Sequence, residues 1–239
     1  MLSLPRVVVF DDVASTLDVA HELGAAGAAA GTLVLADAQT AGRGRMGRAW
    51  RSDAGAGIWL TLLERAASNE SLDVLALRLA LALASALDAF TTRAIALKWP
   101  NDLYVDGRKL AGVLIEARWH GARLDWLAVG AGINVRIPDG LDVASLAPGS
   151  DRVSVLREIV PALRAAVALP GLLTPEELVR YAARDLAGGR RCVAPVEGVV
   201  AGIDASGSLL VDTAEGRVVC RAGSLTLAPT EAHSLGDSG

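Results

Sequence analysis

The sequence predicts an α+β fold: a mixed β-sheet with helices packed on it, followed by a small all-β barrel. Three observations carry this. Strand-like and helix-like segments alternate through residues 1–187, with hairpin turns among them. Gly188-Gly189 then breaks the chain. From Arg191 the pattern changes to short strands joined by tight turns. The expected division is a larger domain over 1–188, a barrel over 189–229 and a polar tail over 230–239.

In chain order, residues 15–30 read as a helix, with Ser15 or Thr16 as its cap and Leu17, Ala20 and Leu23 at helical spacing; Gly31 ends it. TLVLA (32–36) reads as a buried strand, 37–56 as a glycine-rich loop with arginine interleaved, and GIWLTLLE (57–64) as another strand. Leu72 to Phe90 is rich in Ala and Leu and free of Gly and Pro, so it reads as one long helix. IALKW is a strand stopped by Pro100. Asp106-Gly107 turns between LYV and the strand LAGVLIEARW, and a second hairpin around Gly121 leads into LDWLAVGAGINV. A Gly/Pro/Asp-rich loop runs to about residue 151, and two helices come after it. Thr174-Pro175-Glu176-Glu177 marks the start of the second: a cap, a proline in the first turn, and a Glu three residues on. The barrel strands are CVAPVEGVVAGID, SLLVD, RVVCRAG and SLTL, with turns at Ala205-Ser206-Gly207 and Glu215-Gly216. The tail from Pro229 is expected to be disordered.

Composition excludes several classes. Half of the 239 residues are apolar and the net charge is −4, so no bulk basic character points to nucleic acid. Cys192 and Cys220 lack metal-ligand spacing, and a reducing cytoplasm fits them. His21, His120 and His233 are scattered and support neither a metal site nor a His-based triad. The opening MLSLPRVVVF has no long apolar stretch before a cleavage site, and the longest apolar runs are short and interrupted. Neither a signal peptide nor a membrane span is expected.

The chemistry concentrates in a few segments. The chain has two lysines, Lys98 and Lys109, both in KWPNDLYVDGRKLAGVLIEA; every other basic residue is arginine. Lysine is a compact point charge suited to a phosphate or carboxylate oxygen in a tight space, whereas arginine is a planar fork. QTAGRGRMGRAW (39–50) holds GRGRMG, a literal dinucleotide fingerprint. The reading fails on context, because a gap of about five residues separates it from the preceding strand and a strand, not a helix, comes next. Such a loop closes over an anion equally well: its glycines let backbone N–H groups approach phosphate, and Arg43, Arg45 and Arg48 supply cations. A flexible basic turn is the bland alternative. Trp50 offers an aromatic face for a base, Asn101 and Asp102 an amide and a carboxylate, and Asn134 closes the small-residue run GAGIN. Together these supply cations for phosphates, a carboxylate for Mg²⁺ and a lysine for a carboxylate substrate.

QTAGRGRMGRAW, KWPNDLY, GRKLAGVLIE and GAGIN, in this order, resemble the biotin–protein ligases (biotin–acetyl-CoA-carboxylase ligases), over residues from about 10 to 228. The resemblance implies a catalytic domain akin to class II aminoacyl-tRNA synthetases over 1–188, followed by an SH3-like barrel. It implies that biotin and ATP form biotinyl-5′-AMP, and that biotin then passes to a lysine of a biotin carboxyl carrier domain. Carried over by motif, Ser15, Thr16, Leu17, Gln39, Gly42, Arg43, Gly44, Arg45, Lys109 and Gly112 fall to biotin. Arg45, Trp50, Asn101, Asp102, Gly132 and Asn134 fall to ATP. Asp102 is the expected Mg²⁺ ligand, and Lys109, Arg45 and Asp102 are the catalytic set. Leu17 departs from the Asn of many members, which takes a polar group from the biotin pocket. The catalytic domain begins within the first few residues, so a DNA-binding helix-turn-helix domain is not expected. Monomer and homodimer both stay open, since exposed strand edges suit a second subunit or the carrier. A lipoate or octanoate ligase and a non-catalytic biotin or adenylate sensor are the competing readings.

Overall fold

The computed structural model describes residues 4–65 and 71–229; the expected polar tail, 230–239, lies outside them. Seven strands form the main sheet: β1 (Val7–Val13), β2 (Thr32–Gln39), β3 (Gly57–Glu64), β4 (Ala96–Lys98), β5 (Asp102–Val105), β6 (Arg108–His120) and β7 (Arg123–Asn134). Their spatial order is β1-β2-β3-β7-β6-β5-β4. β1 and β2 run parallel and every other neighbour antiparallel, so the sheet is mixed, as expected. β3 is buried at all its positions, which is why it reads as an unbroken apolar run and not as an alternation.

The helices are α1 (Thr16–Ala25), α2 (Leu72–Leu87), α3 (Arg152–Val167) and α4 (Pro175–Ala182). Side chains alternate along a strand, and this sorts the helices onto two faces. Leu33, Leu127 and Val129 join the large core with α2 and α3. Their strand neighbours Val34 and Ala128 join a smaller cluster with Leu17 and Ala20 of α1 on the opposite face. α1 covers only part of that face, and the uncovered part of β3, β7, β6 and β5 is open to a ligand. α2 buries Leu75, Leu79, Leu83 and Leu87 completely. Each fully buried leucine contributes about 1.5–3 kcal/mol.

Strands β8 (Arg191–Ala194), β9 (Gly198–Ile203), β10 (Leu209–Thr213), β11 (Gly216–Cys220) and β12 (Thr226–Leu227) make a second sheet, ordered β11-β10-β9-β8-β12. The expected small all-β unit is present as this antiparallel sheet; among the described residues no pairing joins β11 to β12. β12 is two residues long and pairs with β8. This sheet is docked: Trp99 Nε1 donates to the Gly207 carbonyl at 2.9 Å, and Leu173 N to that of Ala205 at 2.9 Å.

Several expected boundaries shift. α1 ends at Ala25 because Gly27 takes φ +83°, a left-handed stop, five residues before the expected end. Ser15 is its cap, accepting from Leu17 N at 3.3 Å, and Thr16 is the first helical residue. β2 extends to Gln39 because β1, a strand absent from the expectations, pairs along it from Val7↔Leu33 to Val13↔Gln39. The long helix stops at Leu87, and Asp88–Phe90 form a separate 3-10 turn. Among the described residues no helix is long and apolar enough to cross a membrane.

Candidate active site

The loop after β2 folds back on itself as a narrow hairpin. Trp50 N donates to the Gly42 carbonyl at 2.8 Å and Gly44 N to that of Arg48 at 2.7 Å. A Cβ on Gly42 would lie 2.5 Å from the Trp50 carbonyl oxygen, so the closure requires glycine there. At the tip, Met46 and Gly47 take φ of +57° and +71°. The longer β2 brings GRGRMG to within two residues of a strand. The next long element is β3, not an α-helix, and on that ground the dinucleotide fingerprint fails.

A cavity of about 370 Å³ opens between this loop, the KWPND segment, β6 and the second sheet. The loop contributes Arg45, Arg48 and Trp50 to its lining; the KWPND segment Lys98, Asn101 and Asp102; β5, β6 and β7 Tyr104, Lys109 and Asn134; and the second sheet's turn Ser224 and Leu225. Arg45 and Lys109 therefore share one space. A smaller cavity of about 40 Å³ lies beside it, walled by Leu17, Leu60 and Leu114, with Ser15, Thr16, Gln39 and Arg43 supplying polar groups and Gly112 and Gly132 leaving room. Gly44 and Trp50 line both, so the Trp50 indole forms the partition. A Cβ on Gly132 would lie 2.6 Å from that indole. Trp50 Nε1 is buried and is one of two buried side-chain polar atoms without a hydrogen-bond partner among the described residues.

The charges in the larger cavity do not balance. Lys109 Nζ contacts Asp102 Oδ1 at 2.7 Å and lies 4.9 Å from the Trp50 ring centroid. Among the described residues Arg45 hydrogen-bonds neutral acceptors, Asn101 Oδ1 at 3.4 Å and the Gly223 carbonyl at 3.0 Å; Arg48 meets Ser224 Oγ at 3.3 Å. Lys98 Nζ sits 5.5 Å from the Tyr104 ring centroid. Burial pulls the Arg45 and Lys98 pKa values down, and Lys109 and Arg48 push that of Lys98 the same way. Burial, with Asp102 nearby, raises that of Tyr104. Such a surplus of half-buried positive charge suits a polyanion.

The amides brace the walls. Asn101 Nδ2 donates to the Val113 carbonyl at 2.5 Å; Asn134 Nδ2 donates to the carbonyls of Lys109 at 3.3 Å and Ala144 at 3.1 Å. In the small cavity a chain runs from Thr61 Oγ1 to Thr16 Oγ1 at 2.9 Å and on to Gln39 Oε1 at 3.1 Å, with Gln39 Nε2 donating to Ser52 Oγ at 2.8 Å. Arg43 differs from the expected free cation. Its Nε and Nη2 reach Glu116 at 2.8 and 3.1 Å, and Nη2 also reaches Asp18 at 2.8 Å. These bonds raise the Arg43 pKa and hold the Glu116 carboxyl below its usual range.

Sequence reasoning left Glu116, Asp18 and the 223–224 turn out of the site. Glu116 carries a signal, as the one acidic residue in LAGVLIEA; Ser224 carries none. Among the described residues no group of three or more His, Cys, Asp or Glu side chains could hold a metal ion by itself.

Known proteins share this architecture. Residues 9–134 match the biotin/lipoate A/B protein ligase family. The bifunctional ligase/repressor BirA of Bacillus spizizenii is 38% identical over 167 residues, covering 65% of this chain and 51% of that protein. The chain thus spans about half the length of that relative. The biotin–[acetyl-CoA-carboxylase] ligase of Mycobacterium tuberculosis is 33% identical, covering 81% of this chain and 77% of that protein. A structure of biotin protein ligase from Aquifex aeolicus in complex with biotin and ATP superposes with a TM-score of 0.79 at 28% identity, covering 95% of this chain and 100% of that one. By sequence over more than half its length and by fold over nearly all of it, the chain belongs to the biotin/lipoate A/B protein ligase family.

Proposed function

We propose that this chain joins biotin to ATP and transfers the biotinyl group to a lysine of a biotin carboxyl carrier domain. One observation supports this above the rest: Arg45 and Lys109 line one cavity, and a single tryptophan separates it from a small apolar pocket with polar walls. The pocket takes the biotin ring system, with Ser15, Thr16 and Gln39 toward its polar head. The larger cavity takes the triphosphate.

In the first step a biotin carboxylate oxygen attacks the α-phosphorus, and the bond to the β-phosphate oxygen breaks, releasing pyrophosphate. Two anions must approach, and a pair of unit charges about 4 Å apart repels by about 4 kcal/mol at an effective dielectric of 20. Lys109 and Arg45 offset this repulsion where charge develops. Trp50 Nε1, a buried donor without a partner among the described residues, gives an acceptor on the ligand a place to bond. Magnesium ions bind nucleotides through one or two carboxylates plus phosphate oxygens, so the single carboxylate Asp102 fits that requirement. When bound, the ion neutralises phosphate charge. In the second step the carrier lysine amine attacks the acyl carbon, AMP leaves and an amide forms. That amine has an ordinary pKa of about 10.4 and must lose a proton, and Asp102 is the candidate to orient or accept it.

The test is pyrophosphate exchange with biotin and with lipoate, followed by mass spectrometry of a carrier domain mixed with protein, ATP and biotin. Exchange with biotin and a biotinyl mass increment on the carrier are expected. Exchange with lipoate alone, or an unmodified carrier, overturns the assignment.

A further inference from the structure

The first two arginines of the glycine loop do unlike jobs. Among the described residues Arg45 hydrogen-bonds neutral acceptors, whereas the Arg43 guanidinium is already occupied by two carboxylates of the protein. A cation forked onto Glu116 and touching Asp18 has little charge left for a ligand. It does have a mechanical position. Arg43 stands at the root of the hairpin loop, beside the small pocket; Glu116 lies on β6, beyond Gly112; and Asp18 lies in the first turn of α1. The ion pairs therefore tie the loop to two of the elements that build the small pocket.

Glu116 is itself held from behind. Its Oε2 lies 2.9 Å from His21 Nε2, and His21 Nδ1 lies 3.1 Å from Trp126 Nε1. An indole N–H only donates, so His21 Nδ1 must accept, and the ring proton sits on Nε2 pointing at Glu116. The carboxylate thus receives three N–H donors, two from Arg43 and one from His21. Four side chains from α1, the loop, β6 and β7 lock into one series: Trp126 to His21 to Glu116 to Arg43.

We propose that Glu116 is a positioning residue which, through Arg43, latches the glycine loop across the small pocket and so sets where Arg45 stands. The small cavity holds only about 40 Å³ with the latch made. Arg43 and Gly44 of the loop root line this pocket, so the latch bears directly on what enters it. The latch governs capture of the acid substrate, not the bond-making step.

The kinetic half of this inference rests on the activity proposed above; the latch itself does not, and the experiment separates them. Limited trypsin digestion of the ligand-free protein, with cuts after Arg45 and Arg48 read by mass, measures loop opening without any substrate. Glu116→Gln keeps the size and loses the charge. Loss of one charge-assisted contact set is expected to raise cleavage about tenfold. Asp18→Asn, a second variant at a residue that lines neither cavity, is expected to raise it less. In pyrophosphate exchange Glu116→Gln is expected to raise KM for biotin about tenfold and leave kcat within about twofold, a split that general destabilisation does not produce. The double variant Glu116→Gln with Arg43→Met is expected to cleave and bind no worse than Arg43→Met alone, since one acts through the other. Wild-type cleavage in Glu116→Gln, or additive effects in the double variant, overturns the latch. Absence of exchange in the wild type, with the cleavage result intact, sinks the proposed activity and leaves the latch standing.

Discussion

Lys109 and Arg45 meet the same cavity with different hardware: a point charge held by Asp102 at 2.7 Å, and a half-buried fork bonded to Asn101 and to a carbonyl of the second sheet. Their loss should fail differently. Lys109→Met is expected to lower pyrophosphate exchange by about 10²–10³-fold, the size typical of one lost donor at a developing charge. Arg45→Gly is expected to keep some activation and release biotinyl-AMP into solution, detected by chromatography of the reaction mixture. Unchanged coupling between activation and transfer in both variants overturns the roles assigned to them. Lys109 was legible in the sequence because lysine is so scarce there. Glu116 was not, because its contact with Arg43 spans 73 positions and follows no local period. Its titration provides a check on the ion pair. The folded Glu116 carboxyl titrates below its ordinary 4.5, chiefly because Arg43 bonds the ionised form. Its contribution to stability is therefore complete above that value and is lost as pH falls through the lower, folded one. Thermal melts across pH 3–7 are expected to show a constant gap between wild type and Glu116→Gln above about pH 5, narrowing in acid. A gap that widens in acid contradicts the sign.

At the scale of elements, strand β3 was read to the residue because Gly57 bounds a continuous apolar run at one end and Glu64 at the other. β1 went unseen although VVVF has strong strand character. Its parallel partner β2 lies beyond an intervening helix, and only that pairing fixes its limits and carries β2 on to Gln39. The glycine loop was legible as a chemical segment and not as a shape. Its hairpin closure depends on Gly42, whose α-hydrogen faces the Trp50 carbonyl. Gly42→Ala is expected to cost about 1–3 kcal/mol by overpacking. That corresponds to a Tm fall of about 2–4 °C per kcal/mol for a domain of this size. Since the hindrance is backbone, calorimetry and exchange activity should fall together; a full-activity variant with wild-type Tm would show that the closure tolerates a side chain.

On the scale of the molecule, the second sheet is continuous with the first core: Val200, Leu209, Val211 and Leu225 pack into the same apolar cluster as α2 and β3. It also supplies Ser224 and Leu225 to the cavity wall, and its Gly207 carbonyl receives the buried indole N–H of Trp99 beside Asn101. Sequence pattern separated the two units at Gly188-Gly189, but nothing in it revealed how they dock, since contacts such as Trp99 to Gly207 and Arg45 to Gly223 join residues 108 and 178 positions apart. Trp99→Phe keeps an aromatic ring, loses the pyrrole half of the indole, and leaves the Gly207 carbonyl without its donor. A loss of about 1–3 kcal/mol in urea unfolding, with a raised KM for ATP, is expected; an unchanged KM would separate docking from nucleotide binding.

The placement of Lys98 and Lys109 has a further consequence. On the proposed activity, an amine-seeking acyl adenylate would form beside these two side chains, and the sequence carries no other ε-amino group for it to acylate. The same scarcity makes the protein its own occupancy gauge. With an amine-reactive reagent, the tryptic peptides bearing these two side chains should be the only internal ones modified, and a filled cavity should shield both at once.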